Sequence, residues 1–255
     1  MKRYLLKLAY DGTGFVGWQS QQKGRTVQQE IERILAEIAK TKIRVTGAGR
    51  TDTGVHALAQ RAHFDFDSRM STVQILKAMR SMSPADIQII EVIETPPGFN
   101  ARYDAVLRTY EYIITCNPTP FNRLYKTHFK GKKIIPQVMA DCLPHFLREH
   151  DFTSFSRYNP LIRSPLCRVT DFRLTETSED LILEISANRF LHNMVRRLVG
   201  TIVNISHSGV SPGIIPALLA ARSTQNKLIS TAPAHGLYLK EVFYPEFECT
   251  QTLLV

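Results

Sequence analysis

The sequence has few cysteines and no long hydrophobic run. Its four cysteines are widely spaced, and none belongs to a CxxC pair: Cys116, Cys142, Cys167 and Cys249. This spacing argues against a disulfide framework and favours the reduced thiols of a cytoplasmic protein. No stretch approaches the roughly 18 uninterrupted apolar residues of a membrane-spanning helix. Lys7 and Asp11 interrupt the apolar N-terminal stretch, so we expect no signal peptide.

Acidic residues are outnumbered by basic ones. The 255-residue chain has 32 Lys and Arg against 23 Asp and Glu, a net charge of +9. Such a chain favours a polyanionic partner, either nucleic acid or an anionic membrane, and the lack of apolar runs weakens the membrane interpretation. With 44% hydrophobic and 22% charged residues, the composition is that of an ordinary globular protein.

The first half of the chain reads as alternating strands and helices. A capping box of Thr26 and Gln29 predicts the start of the first helix. Helices are predicted from Thr26 onward and over 72–82, and strands over 4–10, 43–47, 61–67, 87–94 and 107–115. The order β-α-β-β-α-β is the split βαβ arrangement of ferredoxin-like domains, whose open sheet face binds RNA in RRM modules.

A proline-containing stretch at 117–120 interrupts this pattern, and we place a domain boundary there, between 1–117 and 118–255. Beyond it we predict a helix over 136–149 that Pro144 bends or ends. Further elements are predicted as strands over 167–176, 181–187 and 237–243, a short helix after Ser211, and a long helix over 189–206. The polar face of the long helix is predicted to be basic, with Arg189, His192, Arg196 and Arg197.

Two motifs suggest a cofactor or a metal, but the residues around each motif do not provide the structure that such a site requires. Gly12, Gly14 and Gly17 match the spacing of a dinucleotide-binding turn. That turn must open directly into a helix, whereas here a polar loop follows, so a Rossmann oxidoreductase is disfavoured. Cys142 and His145 form an isolated pair, which favours helix packing over metal binding.

A second glycine-rich segment, GAGRTDTGVHA at 47–57, contains more reactive side chains. Asp52 lies between Arg50 and His56, and the surrounding glycines allow tight turns and close approach of a ligand. A carboxylate in a turn often binds its own backbone, which is the structural alternative. The aromatic and arginine-rich stretch FNARYDAVLRTYEY at 99–112 instead suggests stacking on a flipped nucleotide.

Six ordered blocks resemble the TruA family of tRNA pseudouridine synthases, nearly from end to end. They are YDGTGFVGWQ with TVQ, GAGRTDTGVHA, FNARYDAVLRTYEY, HDFTSF, ANRFLHNMVRRLVG and APAHGLYLKEV. Thr53 and Ser83 replace the Ala and Leu that are common in the family, and 156–166 is longer than usual.

This resemblance implies an α+β pseudouridine synthase fold, in which two ferredoxin-like halves share a mainly antiparallel central sheet. It implies a homodimer that isomerises uridine at positions thirty-eight to forty of tRNA, without metal or organic cofactor. Asp52 then corresponds to the nucleophile, Tyr110 and Leu237 to substrate-binding residues, and Arg196 to the partner of Asp52. Arg50 is expected to hold the phosphate backbone near the nucleotide.

The residues alone leave the reaction open. A carboxylate could add covalently to the substrate or remove a proton. Tyr110 could also be an ordinary half-buried strand aromatic. A module of the same fold that only binds tRNA would share the charge and the aromatics. An N-glycosidase would cut the same bond but normally needs two carboxylates.

Overall fold

The computed structural model describes residues 1–157 and 164–245, and the chain has an α+β fold. The strands are β1 Lys2–Tyr10, β2 Val45–Gly47, β3 His56–Phe66, β4 Ile87–Thr95, β5 Leu107–Thr115, β6 Arg148–Asp151, β7 Leu166–Glu176, β8 Asp180–Ala187 and β9 Leu237–Phe243. The helices are α1 Val27–Ala39, α2 Thr72–Met82, α3 Pro136–Cys142, α4 Met194–Ser208 and α5 Ile215–Ala220.

The chain divides into two compact units. The first contains Met1–Leu107 and the segment that begins at Tyr238, and the second is Arg108–Leu237. The sequence predicts a division after residue 117 and places the closing strand in the second half, so the observed division differs in both respects. The physical reason is that β9 pairs in parallel with β3, through His56 with Tyr238 and Ala57 with Leu239.

The first unit has the strand order of a ferredoxin-like domain. Strand β1 lies between β4 and β3, β2 pairs with the other side of β3, and all three pairings are antiparallel. The predicted β-α-β-β-α-β order is therefore confirmed here. Both helices begin at capping boxes, Thr26 with Gln29 and Ser71 with Gln74. Helix α1 buries a continuous apolar face of Val27, Ile31, Ile34 and Leu35.

The second unit is built on four antiparallel strands in the order β5, β8, β7, β6. Its principal helix is α4, which buries an apolar stripe that includes Leu198, Val199, Ile202 and Val203. Gly200 of this helix lies against backbone, since an added Cβ would stand 2.2 Å from the carbonyl oxygen of Ser230. Helix α4 therefore packs more closely than a residue with a side chain would allow.

Helix α4 begins at Met194, whereas the apolar pattern predicts a start at 189. Asn193, the residue before the helix, has φ 62° in the left-handed region, so the helical backbone does not extend to the residues that precede it. Arg189 and His192 therefore lie outside the helix, and the predicted basic helix face is wrong for these two residues. Of the four predicted cations, only Arg196 and Arg197 belong to α4.

One other local prediction, the helix over 136–149, differs from the structure. Helix α3 ends at Cys142 and a 3-10 turn at Leu143–Phe146 follows, as Pro144 predicts. The residues from Arg148 to Asp151 then form β6, so the predicted helix over 136–149 runs too far. The sequence pattern does not reveal this strand because all four of its residues are polar. The strand predicted over 107–115, which contains the second half of FNARYDAVLRTYEY, is confirmed as β5 Leu107–Thr115. Residues 158–163 of the predicted long loop at 156–166 lie outside the described residues.

The turn that precedes β5 is tied to a buried histidine. His63 in β3 is 7% exposed, and its Nδ1 accepts a hydrogen bond from the backbone N–H of Ala101 at 3.0 Å. The hydroxyl of Tyr244 donates to the carbonyl of Ala101 at 2.6 Å. Burial, followed by the nearby charge of Arg3, lowers the pKa of His63 below its usual value.

We expect this histidine to make the protein less stable in mild acid. A folded pKa below the unfolded value of about 6.5 means that His63 stabilises the fold above that pH. The contribution is lost as the pH falls through the lower folded pKa, because a proton on Nδ1 removes the acceptor for Ala101. When the pH is lowered from 7.5 to 5, the denaturant midpoint of the wild type should fall further than that of His63→Gln. Equal losses would contradict this account.

Candidate active site

The Asp52 loop connects β2 to β3 and is held by hydrogen bonds on both sides of the carboxylate. The hydroxyl groups of Thr51 and Tyr10 are 2.8 Å apart, in a buried position. The backbone N–H of Val55 donates to the carbonyl of Asp52 at 3.1 Å. Gly54 has φ 77°, a conformation that favours glycine. The loop therefore presents a half-buried Asp52 from a fixed backbone.

Burial also fixes the charge state of the tyrosine beneath this loop. Tyr10 is 5% exposed, and burial raises its pKa to about 12, although hydrogen bonds to Thr51 and Gln60 oppose the shift. The phenol is therefore neutral at physiological pH. It serves as an anchor for Thr51, the residue immediately before Asp52.

The first glycine-rich segment supports the Asp52 loop. Trp18 donates its backbone N–H to the carbonyl of Thr51 at 3.1 Å, and Gly54 donates to the carbonyl of Phe15 at 3.3 Å. Trp18 and Phe15 are each 2% exposed. The two glycine-rich motifs that the sequence shows separately are thus two sides of one packed structure.

Two glycines of the first segment permit this close approach. A Cβ added at Gly12 would stand 2.1 Å from the carbonyl oxygen of Val55. Gly17 has φ 98°, and its Cβ would stand 2.7 Å from the carbonyl oxygen of Thr51. Gly14 differs, because the nearest atom to its Cβ would be a side-chain oxygen of Asp86 at 3.7 Å. The glycines at 12 and 17 therefore serve backbone packing and do not form a dinucleotide-binding turn.

His56, at the start of β3, joins the loop to the same segment. It is 2% exposed, and its ring stacks on Tyr238 with centroids 4.7 Å apart. Its Nδ1 lies 3.0 Å from the backbone nitrogen of Gly12 and 3.2 Å from a carboxylate oxygen of Asp11. Nδ1 accepts the hydrogen bond from the Gly12 N–H, so His56 holds this turn to the start of β3.

Arg50 and Asp52 belong to the same loop, but their side chains differ in exposure. Arg50 is exposed, whereas Asp52 is half-buried. Gly49, the preceding residue, is fixed through its carbonyl, which accepts from Nε2 of Gln60 at 3.1 Å. The first unit therefore supplies a carboxylate on a fixed backbone and, two residues earlier, an exposed guanidinium.

Tyr110 lies in β5 of the second unit and is 8% exposed. Its ring meets Phe190 edge to face, with centroids 5.0 Å apart and an interplanar angle of 85°. Tyr112 lies two positions further along β5, on the same face of the strand as Tyr110. Its hydroxyl donates to the carbonyl of Pro233 at 2.9 Å. Burial raises the pKa of Tyr112, so this second phenol is also neutral.

Arg196 in the first turn of α4 is fixed by a segment that approaches the helix start. Its Nε donates to the carbonyl of Ala232 at 2.8 Å, and its backbone carbonyl accepts from Ala232 at 3.0 Å. A second guanidinium nitrogen donates to the side-chain oxygen of Asn193 at 3.2 Å. The guanidinium is therefore held in one orientation in the second unit.

The neighbouring Arg197 has a different role. It donates to the carbonyl oxygens of Ser156 at 2.6 Å and Thr224 at 3.2 Å, and burial lowers its pKa. This arginine joins two loops of the second unit, so sequence proximity to Arg196 does not give it the same function.

Leu237 begins β9 and is 4% exposed. Gly236 precedes it, and a Cβ there would stand 2.5 Å from the hydroxyl oxygen of Thr127. The predicted site residues thus fall into two sets. Asp52 and Arg50 share one loop of the first unit, and Tyr110, Arg196 and Leu237 belong to the second. The pairing of Arg196 with Asp52 stays a prediction.

Two of the cysteines, Cys142 and Cys167, are poorly suited to act as an alternative nucleophile. Cys142 and Cys167 are fully buried, and burial raises the pKa of each thiol to about 12. Both are protonated at neutral pH, and a thiol is a much weaker nucleophile than a thiolate. Cys116 is exposed and, like these two, is not part of a disulfide.

Residues 1–157 and 164–245 contain neither a cluster of metal-binding side chains nor a membrane-spanning helix. No three His, Cys, Asp or Glu side chains in these ranges are grouped so that they could hold a metal ion. No helix there is long and apolar enough to cross a membrane.

Sequence reasoning did not identify the residues that hold the loop. Tyr10 and Trp18 carry no local signal for this role, because their partners are distant in the chain. The glycine spacing around residue 12 is visible, but the packing of those glycines against the Asp52 loop is a tertiary contact.

An α+β fold with a carboxylate fixed in a glycine-rich loop is compatible with an enzyme that works by nucleophilic or base catalysis. Comparison with known proteins gives the family. The model of the tRNA pseudouridine synthase family matches residues 8–104 and 144–245. The chain belongs to this family, and the resemblance inferred from its sequence is confirmed.

Curated relatives match along nearly their whole length. The chain is 37% identical to tRNA pseudouridine synthase A of Maridesulfovibrio salexigens, over 99% of this chain and 94% of the relative. It is 39% identical to the protein of that name from Methylococcus capsulatus, over 96% of this chain and 90% of the relative. For the Listeria monocytogenes protein the identity is 39%, over 96% of this chain and 100% of the relative.

Proposed function

We propose that this protein isomerises uridine to pseudouridine in tRNA, at positions thirty-eight, thirty-nine and forty of the anticodon stem-loop. The observation that carries the proposal is a half-buried Asp52 on a fixed loop. This loop lies in the first of the two regions, 8–104 and 144–245, that the model of the tRNA pseudouridine synthase family matches. The net charge of +9 suits a polyanionic substrate.

The chemistry requires one well-placed carboxylate. The C–N glycosidic bond of uridine must break, the uracil must turn over, and a C–C bond must form between C1′ and C5. We propose that Asp52 is the nucleophile in this sequence of steps. An ionised carboxylate needs no activating base, so its contribution depends on position. The Tyr10–Thr51 anchor and the packed glycines provide that fixed position.

The other predicted residues take supporting roles. We propose that Tyr110 and Leu237 contact the uracil and that Arg50 binds the phosphate backbone beside the nucleotide. An aromatic ring gives a flipped base a stacking partner, and an exposed guanidinium binds phosphate well. The reaction is an intramolecular rearrangement with no net oxidation or reduction, so its balance requires no cofactor.

Arg196→Ala is expected to lower the rate at saturating tRNA by about 100-fold and to weaken tRNA binding by less than about tenfold. The reason is the proposed pairing of the Arg196 guanidinium with the carboxylate of Asp52. Single-turnover rates and filter-binding affinities measure the two effects separately, and the melting temperature monitors the loss of the Ala232 contacts. Collapse of binding with a normal saturated rate would make Arg196 a phosphate contact.

Pseudouridine formation tests the proposed function. Purified protein is incubated with unmodified tRNA in the presence of EDTA, and nucleosides are separated after digestion. We expect a product with the mass of uridine and the retention of pseudouridine, mapped by carbodiimide-dependent primer extension to the anticodon stem-loop. Free uracil would support a glycosidase, and unchanged but bound tRNA would support a binding module.

The family also suggests an assembly and a location. We propose that the protein acts as a homodimer in the cytoplasm, where its proposed substrate is found. Analytical ultracentrifugation tests the first part, and a single species with the 29.0 kDa mass of one chain at assay concentrations would contradict it.

A further inference from the structure

A basic segment separates β5 from α3 in the second unit. We define the basic segment as residues 117–133, NPTPFNRLYKTHFKGKK. It contains no Asp or Glu, and its five cations are Arg123, Lys126, Lys130, Lys132 and Lys133. Aromatic residues alternate with these cations: Phe121 precedes Arg123, Tyr125 precedes Lys126 and Phe129 precedes Lys130. Interleaved aromatic and basic side chains are typical of surfaces that bind single-stranded nucleic acid.

The tip of the basic segment has a fixed backbone. Asn122 accepts through its side-chain oxygen from the N–H of Thr119 at 2.8 Å, and Thr119 Oγ1 accepts from the N–H of Asn122 at 3.2 Å. The amide nitrogen of Asn122 also donates to the carbonyl of Asn117 at 3.0 Å. Phe121 lies within this turn and is 91% exposed. The turn thus presents a large apolar ring to solvent on an ordered backbone.

The base of the segment is anchored in the core of the second unit. Thr127 is 1% exposed, and its hydroxyl lies 2.8 Å from that of Tyr112. Its N–H donates to the carbonyl of Ile113, and its carbonyl accepts from the N–H of Thr115, both at 2.9 Å. Thr127 therefore lies beside the end of β5, the strand that carries Tyr110.

Three of the five cationic residues are exposed, and one of them, Arg123, also donates to the carbonyl of Pro120 at 2.5 Å. Lys126 pairs with Asp180 at 2.5 Å, and Lys132 binds the side chain of Asn204. Arg123, Lys130 and Lys133 are exposed. All three follow Phe121 in the chain, and their charge is available to anionic groups.

We infer that the basic segment is an RNA-binding surface, in which Phe121 stacks on an unpaired base and the exposed cations bind the phosphates. An exposed ring on a fixed turn loses little entropy on stacking, and each base offers it a π face. That the RNA is tRNA rests on the proposed function. The contact itself rests on the segment's composition and structure.

Charge argues against a second copy of this chain as the occupant. In a two-fold symmetric interface the same patch meets itself. Two segments with three exposed cations each and no carboxylate would then face one another and repel. A polyanionic strand satisfies the same cations.

Three variants of Phe121 separate stacking from simple burial of apolar surface. Phe121→Ala should weaken binding of unmodified tRNA by about tenfold. Phe121→Tyr should bind within about twofold of the wild type, because it keeps the ring. Phe121→Leu, which keeps apolar surface but no ring, should resemble the alanine variant. The melting temperature should be unchanged in all three, since the side chain is exposed.

Salt dependence tests the cations. Combining Arg123→Gln, Lys130→Gln and Lys133→Gln should lower the slope of log affinity against log salt by about two to three. A control that removes three exposed lysines elsewhere, Lys40→Gln, Lys42→Gln and Lys227→Gln, changes the net charge equally and should alter the slope by less than about one.

The outcomes are distinguishable from those of the proposed function. Wild-type tRNA affinity in Phe121→Ala would overturn the inference even if the enzyme makes pseudouridine normally. Equal slopes for the two charge variants would overturn the phosphate contacts. A fall in sedimentation coefficient in Phe121→Ala would identify an interface between copies and overturn it as well. Segment-dependent RNA binding without pseudouridine formation would support the inference and refute the proposed function.

Discussion

Replacing Asp52 with asparagine is expected to lower pseudouridine formation by several orders of magnitude and to change tRNA affinity by less than about tenfold. The amide keeps the size and the loop position of the carboxylate but cannot act as a nucleophile of comparable strength. Phosphate contacts remain, so binding persists. Single-turnover rates with saturating enzyme measure the chemical step, and filter binding measures affinity.

Asp67→Asn provides a matched control for charge. Asp67 belongs to the same unit, its side chain is 90% exposed, and its ion pair with the N-terminal amino group is long, at 4.0 Å, so its replacement removes one negative charge outside the Asp52 loop. We expect a normal rate. Measurable turnover by Asp52→Asn, above contamination by host enzyme, would remove Asp52 from its proposed role.

Gly12→Ala is expected to destabilise the protein by more than about 3 kcal/mol and to abolish measurable activity. The new Cβ would stand 2.1 Å from the carbonyl oxygen of Val55, and backbone in a packed loop cannot move aside as a flexible side chain can. The Asp52 loop must therefore shift or unfold. Denaturant titration and single-turnover rates give the two effects.

Gly14→Ala is the matched control within the same motif. Its Cβ would meet only ordinary contacts, the nearest at 3.7 Å, and its φ is outside the left-handed region. We expect stability within about 1 kcal/mol of the wild type and normal activity. Similar behaviour of the two variants would contradict the conclusion that the first glycine-rich segment supports the Asp52 loop.

Sequence reasoning succeeded where the signal was local. The predicted capping box of Thr26 and Gln29 involves residues three apart, and helix α1 begins where that pattern indicates. The strand order of the first unit followed from element order alone. Asp52 was prominent because its glycine-rich loop is unusual in composition.

It failed where the cause is distant in the chain. Strand β6 exists because Arg148–Asp151 pairs with β7, and its own residues show no alternation. Helix α4 was extended too far because Phe190 and Leu191 continue the apolar pattern, whereas the backbone of Asn193 interrupts it. The supports of the Asp52 loop also depend on distant partners, such as Tyr10 for Thr51 and Gly12 for Val55.

The most direct test of the central claim uses tRNA with tritium at C5 of uracil. Forming the C1′–C5 bond must displace the hydrogen on C5, whereas hydrolysis of the glycosidic bond or mere binding leaves it in place. We predict that the wild type releases tritium to water in an amount that matches pseudouridine formed and that Asp52→Asn releases none. Retention of tritium by the wild type, with tRNA bound, would contradict the account.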